Sequence, residues 1–172
     1  MRNSNNQPPL IKRKITTLEM EIALMKHFNY RQNVIIPNIS WGLDLHECDL
    51  LIVRKSLNMV EVEIKATKHD LLKDFEKKHS HVDKKNRIRE FYYAMPRYVF
   101  DKIDVDIFPI NSGIIVFDVN RNRINTTIIR NSKINTSARK LTESEYNKIL
   151  RLGTYRIFTL KNKLHKLLNK TK

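Results

Sequence analysis

The sequence predicts a mixed α/β (α+β) fold in which a central β-sheet is flanked by helices. The stretch from Asp49 to Lys65 predicts two strands joined by a short polar connection. In its second half, the residues from Val60 to Lys65 alternate strictly between apolar and charged, as expected for a strand whose two faces differ. Elsewhere, apolar residues recur at helical spacing near the start of the chain, directly after Lys65 and near the end. At 172 residues, the chain is expected to form one domain with a substantial core.

A first helix is predicted from Thr16 or Thr17 to about Asn29, because either threonine can cap its N-terminus. Its expected apolar side consists of Leu18, Ile22, Leu24, Met25 and Phe28. Glu21 falls inside this stripe, whereas Glu19 falls well outside it. Since an acid on a buried face needs a partner, we predict that Glu21 rather than Glu19 reaches a charged site at the sheet edge. The alternative is a carboxylate at the rim of the core.

The next apolar run, Val34 to Ile36, is predicted to be a strand that Pro37 either ends or places at a sheet edge. The stretch from Asn38 to Glu47 is predicted to be a loop or an irregular strand. Trp41 within it could stack on a nucleobase, but packing against the protein is the favoured interpretation.

The two strands of the Asp49–Lys65 stretch carry the charged residues from which a function can be inferred. Asp49 opens an apolar run, where a carboxylate is unfavourable unless it is paired or bound to a metal. A hairpin would bring Asp49 close to Glu63 and Lys65, which share one strand face with Glu61. Two carboxylates and an ammonium at one sheet edge can hold Mg²⁺ and activate a water. The alternative is an ordinary solvated strand face.

This order, an aspartate, a hairpin and then Glu63-Ile64-Lys65 on the next strand, resembles the signature of the PD-(D/E)xK nuclease superfamily, whose fold is restriction-endonuclease-like. The neighbouring sequence is similar to small phage and bacterial proteins of the MmcB-type DNA-repair family. The segments that carry this similarity are residues 37–42, 46–49, 61–65 and 91–96, within a resemblance that covers about residues 17–118. It implies a core with the element order αβββαβ.

The resemblance implies a metal-dependent nuclease that hydrolyses DNA in repair, recombination or phage DNA processing. Asp49 and Glu63 would be the Mg²⁺ ligands, together with the backbone carbonyl of Ile64, and Mn²⁺ would substitute for Mg²⁺. Lys65 would orient the attacking water or stabilise developing negative charge. Glu21 would support a second ion or hold Lys65, since many of these nucleases bring an acid from the first helix.

Two neighbours of the proposed ligands bear on this interpretation, one as a further ligand and one as a departure from the family pattern. Glu61 shares the strand face with Glu63 and is a reserve ligand. Relatives often have a proline before the aspartate, whereas Cys48 precedes Asp49 here. The alternative function is a non-cleaving DNA-binding protein on the same fold, either an accessory protein or a phage structural component.

A second helix is predicted from about Lys68 to Lys78, with Leu71, Leu72 and Phe75 on its apolar side. Because it follows Lys65 directly, its lysines are expected to project near the site, where they suit phosphate contacts. The predicted DNA contacts are Lys68, Lys73, Lys77, Lys78, Lys84, Lys85 and Arg87. Any solvated helix face would carry similar charges.

His79 and His81, with His69 upstream, invite comparison with a zinc site. Zinc sites need several closing His or Cys ligands, and the chain has only one cysteine. Surface histidines are therefore the favoured interpretation, with a phosphate contact or a role beside the metal left open.

The remaining strands are predicted from three apolar segments. Phe91 to Met95 is expected to direct alternate residues to opposite sheet faces, and a short helix follows from Pro96 through Ile103. Gly113 precedes Ile114 to Phe117, a run typical of a buried strand. A turn then returns the chain as a hairpin strand from Ile124 to Ile129.

The C-terminal region predicts helix. Thr142 and Glu145 have capping-box spacing, and Gly153 is expected to stop the helix that they open. Beyond it, the residues at helical spacing are Ile157, Leu160, Leu164 and Leu167, opposite Arg156, Lys161, Lys163, Lys166 and Lys170. This basic amphipathic segment could pack on the domain, bind DNA or form a homodimer.

The bulk composition fits a nucleic-acid partner. The 33 Lys and Arg residues against 18 Asp and Glu give a formal net charge of +15, which favours DNA, with RNA less favoured and no membrane expected. The single cysteine, and the lack of a membrane-length apolar run or signal peptide, predict a soluble, cytoplasmic protein. The resemblance implies that this cytoplasm is that of a bacterial host cell and that the protein is bacterial or phage-encoded. The expected organisation is a flexible basic arm over 1–14, a nuclease-like domain over 15–130 and a helical extension over 131–172 packed on the same domain.

Overall fold

The computed structural model of the protein describes residues 13–39, 47–76, 86–120 and 123–170. Within these ranges the fold is mixed α+β, with one six-stranded sheet flanked by helices. The strands are β1 Val34–Ile39, β2 Cys48–Val53, β3 Met59–Ile64, β4 Ile88–Pro96, β5 Gly113–Asn120 and β6 Arg123–Arg130. The helices are α1 Thr17–His27, α2 Lys68–Glu76, α3 Arg97–Phe100 and α4 Glu143–Lys170. The elements α1 to β4 therefore follow the predicted order αβββαβ.

The spatial order of the strands is the same as their order along the chain. Strands β1, β2 and β3 pair antiparallel, β3–β4 and β4–β5 pair parallel, and β5–β6 is an antiparallel hairpin. The two parallel connections contain α2 and α3, since a parallel pair cannot be joined by a tight turn. Strand β1 contains Pro37 and lies at one edge of the sheet, where a missing N–H is tolerated.

Both faces of the central strands are buried, and alternate residues serve different cores. Val60, Val62 and Ile64 of β3 pack in a cluster with Leu24 of α1 on one face. On the opposite face, Tyr93 and Met95 of β4 pack in a cluster with Leu71 of α2 and with Ile114 and Val116 of β5. The predicted alternation of β3 and β4 is therefore confirmed.

Helix α1 begins as predicted but is rotated relative to its expected apolar stripe. Thr16 caps it, and Glu19 completes a capping box. Leu18 and Ile22, expected to be buried, are exposed, and the residues that the sheet covers are Met20, Ala23 and Leu24. This rotation brings Glu21 to the border of the buried face rather than into its centre.

Gly113 at the start of β5 is required by a close approach of its neighbours. A Cβ atom on this residue would lie 2.3 Å from the ring of Tyr92 and 2.7 Å from the backbone nitrogen of Ser132. Neither the ring nor the backbone can move far in a packed interior. The start of β5 therefore admits only glycine.

The C-terminal region differs from the prediction in two respects. Residues 131–142 are not helical but form an extended segment bonded to the body of the protein, for example through Leu141 N–H to the carbonyl of Leu57 at 2.9 Å. Helix α4 then runs through Gly153 instead of stopping there. A Cβ at Gly153 would lie 3.4 Å from Cδ1 of Ile36, so this glycine permits close packing of α4 on β1. Packing against the sheet outweighs the low helix propensity of glycine.

Only the first half of α4 packs on the described part of the domain. Ile149 is fully buried, and Arg156 donates a hydrogen bond to the carbonyl of Asn38 at the end of β1. Beyond that point the exposed apolar side chains are Ile157, Phe158, Leu160, Leu164, Leu167 and Leu168. Among the described residues, α4 therefore packs on the sheet through its first half. No helix in the described ranges is both long and apolar enough to cross a membrane.

Candidate active site

Asp49 is the centre of the charged cluster. It lies at the start of β2, one residue beyond the pair that joins Leu50 to Val62 of β3. Its Oδ2 accepts a hydrogen bond from the backbone N–H of Ile64 at 2.7 Å, which fixes the carboxylate at the end of β3. Burial raises the pKa of Asp49, and this effect outweighs the opposing influence of the Ile64 hydrogen bond and of Lys65.

Glu63 and Lys65 form a buried ion pair beside Asp49. Lys65 Nζ lies 2.9 Å from Glu63 Oε2, and the two residues are 5% and 6% exposed respectively. Burial raises the pKa of Glu63 to about 7, with the charge of Asp49 contributing in the same direction against Lys65. Burial would lower the pKa of Lys65, but the charges of Glu63 and Asp74 outweigh it and the net shift is upward. Lys65 is therefore held as an ammonium.

Asp74 of α2 completes the cluster and was missed by the sequence analysis. Its Oδ1 lies 3.2 Å from Lys65 Nζ, and its Oδ2 accepts a hydrogen bond from the hydroxyl of Tyr93 at 3.5 Å. Asp74 is buried because it lies three residues after Leu71, on the helix face that packs on the sheet. Glu21 was predicted to reach the site because it is an acid on an apolar helix face. Asp74 has the same feature, so the sequence could have identified it in the same way.

Glu21 reaches the cluster from α1, on the opposite face of the sheet. Its Oε1 accepts a hydrogen bond from Asn38 Nδ2 at 3.3 Å. Burial raises the pKa of Glu21, and the charge of Asp49 adds to the increase. Glu19 instead pairs with Arg13 at 2.7 Å outside the cluster. The preference for Glu21 over Glu19 therefore agrees with the geometry.

The donor set of the cluster suits a hard cation. Asp49 and Glu63 supply carboxylate oxygens, and the N–H and C=O of Ile64 point to the same side of β3, the side on which Asp49 lies. The reserve ligand Glu61 is 1% exposed and lies one step further from this edge. Within the described ranges, no three side chains of His, Cys, Asp or Glu gather into a metal site. A metal here would depend on two carboxylates and a carbonyl.

The predicted DNA contacts divide into three groups. Lys68 and Lys73 are exposed on α2, and Lys68 Nζ donates to the carbonyl of Lys102 at 3.1 Å. Arg87 is only 8% exposed and pairs with Glu145 at 2.7 Å, so it anchors α4 and is not available as the expected phosphate contact. Outside the described residues lie Lys77, Lys78, Lys84 and Lys85, as well as Trp41, His79, His81 and residues 1–12 of the arm.

Comparison with known proteins identifies a shared fold. No protein-family model and no curated protein matches the chain. Among solved structures, the SPO1766 protein of unknown function from Silicibacter pomeroyi matches with a TM-score of 0.58. The match covers 86% of this chain and 90% of that chain, at 12% sequence identity. The two proteins share a fold.

Proposed function

We propose that this protein is a metal-dependent nuclease on a restriction-endonuclease-like core of the PD-(D/E)xK superfamily, similar to the MmcB-type DNA-repair proteins. The observation that carries the proposal is the convergence of Asp49, Glu63 and Lys65 at one end of the β2–β3 pair. Buried carboxylates and a buried lysine with shifted pKa values are more typical of a functional site than of a solvated strand face.

Each residue of the charged cluster has its own role in the proposed hydrolysis of a phosphodiester. Asp49 and Glu63, with the carbonyl of Ile64, would hold Mg²⁺, for which Mn²⁺ would substitute. When bound, such a cation supplies Lewis acidity and makes a coordinated water more acidic. Lys65 stays protonated between its two carboxylates and stabilises the negative charge that develops on the phosphate. Glu21, beside Asp49, supports a second cation or the position of Lys65.

DNA is the proposed substrate, in repair, recombination or phage DNA processing within a bacterial cytoplasm. The net charge of +15 favours a polyanion, and Lys68 and Lys73 are exposed on the helix that follows the cluster. These contacts position a backbone without reading its sequence, so little base specificity is expected from them.

The test is cleavage of labelled single-stranded, duplex, nicked and branched DNA with Mg²⁺ or Mn²⁺. Wild type is expected to cut at least one substrate, whereas Asp49→Ala and Lys65→Ala abolish cutting and retain DNA binding. Lys55→Ala is a matched control, because Lys55 is exposed in the turn at the other end of the same hairpin. Cutting that survives in both cluster variants, or in EDTA, would refute the proposal.

A second candidate is a non-cleaving DNA-binding protein, an accessory protein or a phage structural component, on the same fold. The burial of Glu63 and Lys65 beneath α2 favours it, since a purely structural ion pair would also be enclosed. This protein would bind DNA equally in EDTA and in Mg²⁺, and would cut no member of the panel with either metal.

A further inference from the structure

A cavity of about 770 Å³ lies next to the candidate active site and has no role in the chemistry proposed for that site. It opens on the sheet face that carries Tyr93, between α2, residues 106–112 and the extended segment 132–136. Its volume falls in the range of pockets that enclose small organic ligands, roughly 300–1,000 Å³.

The inner wall of the cavity is aromatic. Phe75, Phe91, Tyr93 and Phe108 line it, and they contact one another edge to face, with ring centroids 4.9 Å apart for Phe91 and Tyr93 and 5.6 Å apart for Phe75 and Tyr93. Such packing fixes the orientation of the rings. Tyr93 and Phe108 are buried, whereas Phe75 and Phe91 are half-buried and can offer ring surface to a ligand.

The mouth of the cavity is polar and carries charges of both signs, because the exposed carboxylate of Asp106 lines it together with two cations. Arg89, Asn111 and Lys133 line it, and their side chains make no hydrogen bond or ion pair within the described part of the chain. Ile107 and Ile134 are exposed at the same mouth, so apolar surface accompanies the polar groups. Aromatic surface, an amide and two cations are the groups that bind a base, its polar edge and the adjoining phosphates.

One residue joins the cavity to the candidate active site. Asp74 lines the cavity and lies 3.2 Å from Lys65 Nζ. A ligand in the cavity would therefore be held close to the lysine proposed to act on the phosphodiester.

We propose that this cavity binds one unpaired nucleobase of a nucleic-acid strand next to the phosphodiester that the cluster acts on. This inference rests on the proposed function for the position of the phosphodiester, but not for the binding itself. A base stacked inside a duplex cannot enter a cavity without being unpaired and rotated outward. The substrate class is therefore a single strand, an end or a locally melted segment, rather than an intact duplex.

The experiment measures binding in EDTA, where no metal-dependent cleavage occurs. Fluorescence anisotropy compares a labelled single strand, the same sequence as a duplex, and single strands with one abasic position moved along the chain. We expect the single strand to bind about tenfold or more tightly than the duplex, and one abasic position to lose most of that gain. A 2-aminopurine base at that position should change its emission on binding.

Two variants test the cavity itself. Asn111→Leu and Arg89→Ala should each weaken single-strand binding at least about fivefold and remove the abasic-position effect, while leaving duplex binding unchanged. Arg31→Ala removes the same charge from an exposed site after α1, and should bind like wild type. Arg89→Lys should bind better than Arg89→Ala, and thermal unfolding of each variant checks that it is folded.

The outcomes separate this inference from the proposed function. Equal affinity for single strand, duplex and all abasic strands overturns the nucleobase site, even if the protein cuts DNA. If Asp49→Ala abolishes cutting but keeps the single-strand preference, both proposals stand. If no substrate is cut but the preference is present and lost in Asn111→Leu, the nucleobase site stands and the nuclease proposal falls.

Discussion

Lys65, the residue directly after β3, is held in place by two carboxylates from different elements, one on β3 and one on α2. Glu63 lies 2.9 Å and Asp74 lies 3.2 Å from its ammonium nitrogen. In a buried setting, loss of one partner leaves a charge that is poorly compensated, so the position of Lys65 depends on both.

Asp74→Asn should therefore lower cleavage about 10- to 100-fold while DNA binding in EDTA does not fall, because Lys65 is displaced rather than removed. Asp74→Glu should recover part of the rate, since it restores the charge. The measurement is single-turnover cleavage with saturating protein. Asp101→Asn, at the exposed C-terminal end of α3, is the control and should cut at the wild-type rate. Equal rates in Asp74→Asn and wild type would contradict the role of Asp74.

The raised pKa of Glu63 predicts how Mg²⁺ stabilisation depends on pH. Burial raises this pKa to about 7 from 4.5, so ionisation of Glu63 opposes folding increasingly as the pH rises from 4.5 to 7. A cation that needs ionised Glu63 must displace a proton below pH 7, which weakens its apparent affinity by up to about tenfold per pH unit.

Mg²⁺ should therefore raise the melting temperature more at pH 8 than at pH 6, relative to EDTA at the same pH. Differential scanning fluorimetry measures both increases, with Asp49→Ala as the variant that should lose them. An increase that is the same at both values of pH, or that persists in Asp49→Ala, would place the metal elsewhere.

Where the pattern was local, the sequence predicted which charged residues come together. Strict alternation along β3 identified Glu63 and Lys65, and an acid in an apolar run identified Asp49. Arg87 was assigned to DNA because it belongs to a basic run, whereas its partner Glu145 lies 58 residues away along the chain. Such a non-local ion pair has no signature in the surrounding residues.

At the scale of elements, the N-terminus of α4 is fixed by a network around Glu145. Its carboxylate accepts from the backbone N–H of Thr142 at 2.9 Å and pairs with Arg139 and Arg87, each at 2.7 Å. Arg139 first, then the Thr142 amide, lower the pKa of Glu145 well below its usual range. Because the pKa of Glu145 is lower in the folded state than in the unfolded state, the stabilisation that its ionised carboxylate provides is present above pH 4.5 and is lost as the pH falls.

Glu145→Gln should lower the free energy of unfolding by about 1–3 kcal/mol at pH 7, through loss of the cap and of the partner of buried Arg87. The difference from wild type should shrink toward pH 3. Urea unfolding across this range measures it, and Glu143→Gln is the control, since Glu143 is exposed in the same first turn. A difference that does not change with pH would show that the charge of Glu145 is not the stabilising feature.

Two elements show where local rules fail. The predicted apolar stripe of α1 included Leu18 and Ile22, but the sheet buries Met20 and Ala23 instead, and the helix is rotated accordingly. Glycine is typical of helix ends, but Gly153 lies within α4, where its lack of a side chain allows the helix to pack closely on Ile36. In both cases a tertiary contact decides between local alternatives that the sequence leaves nearly balanced.

At the scale of the whole molecule, the order αβββαβ and the β5–β6 hairpin could be predicted because each follows from short-range periodicity. The exposure of the second half of α4 could not, because it depends on where the sheet beneath the helix ends. Apolar spacing predicts a face but does not predict what covers it.

Removal of residues 157–172 should therefore leave the free energy of unfolding within about 1 kcal/mol of the full chain, since the large apolar side chains described there are exposed. Urea unfolding measures the difference. Truncation from residue 144 is the contrasting variant, because it also removes buried Ile149 and Glu145, and it should destabilise strongly. A large loss on removal of 157–172 alone would mean that this segment is covered in the folded protein.

The agreement between strand order and chain order has a consequence for how the protein assembles. Each strand pairs with the next one along the chain, so every pairing closes only the segment between two neighbours. The contact of α4 with β1 is different, since Arg156 and Asn38 are 118 residues apart. Contacts of high sequence separation form late because their loop-closure entropy is largest. During synthesis, the strands that hold Asp49 and Glu63 can therefore pair before the helix that crosses β1 has left the ribosome.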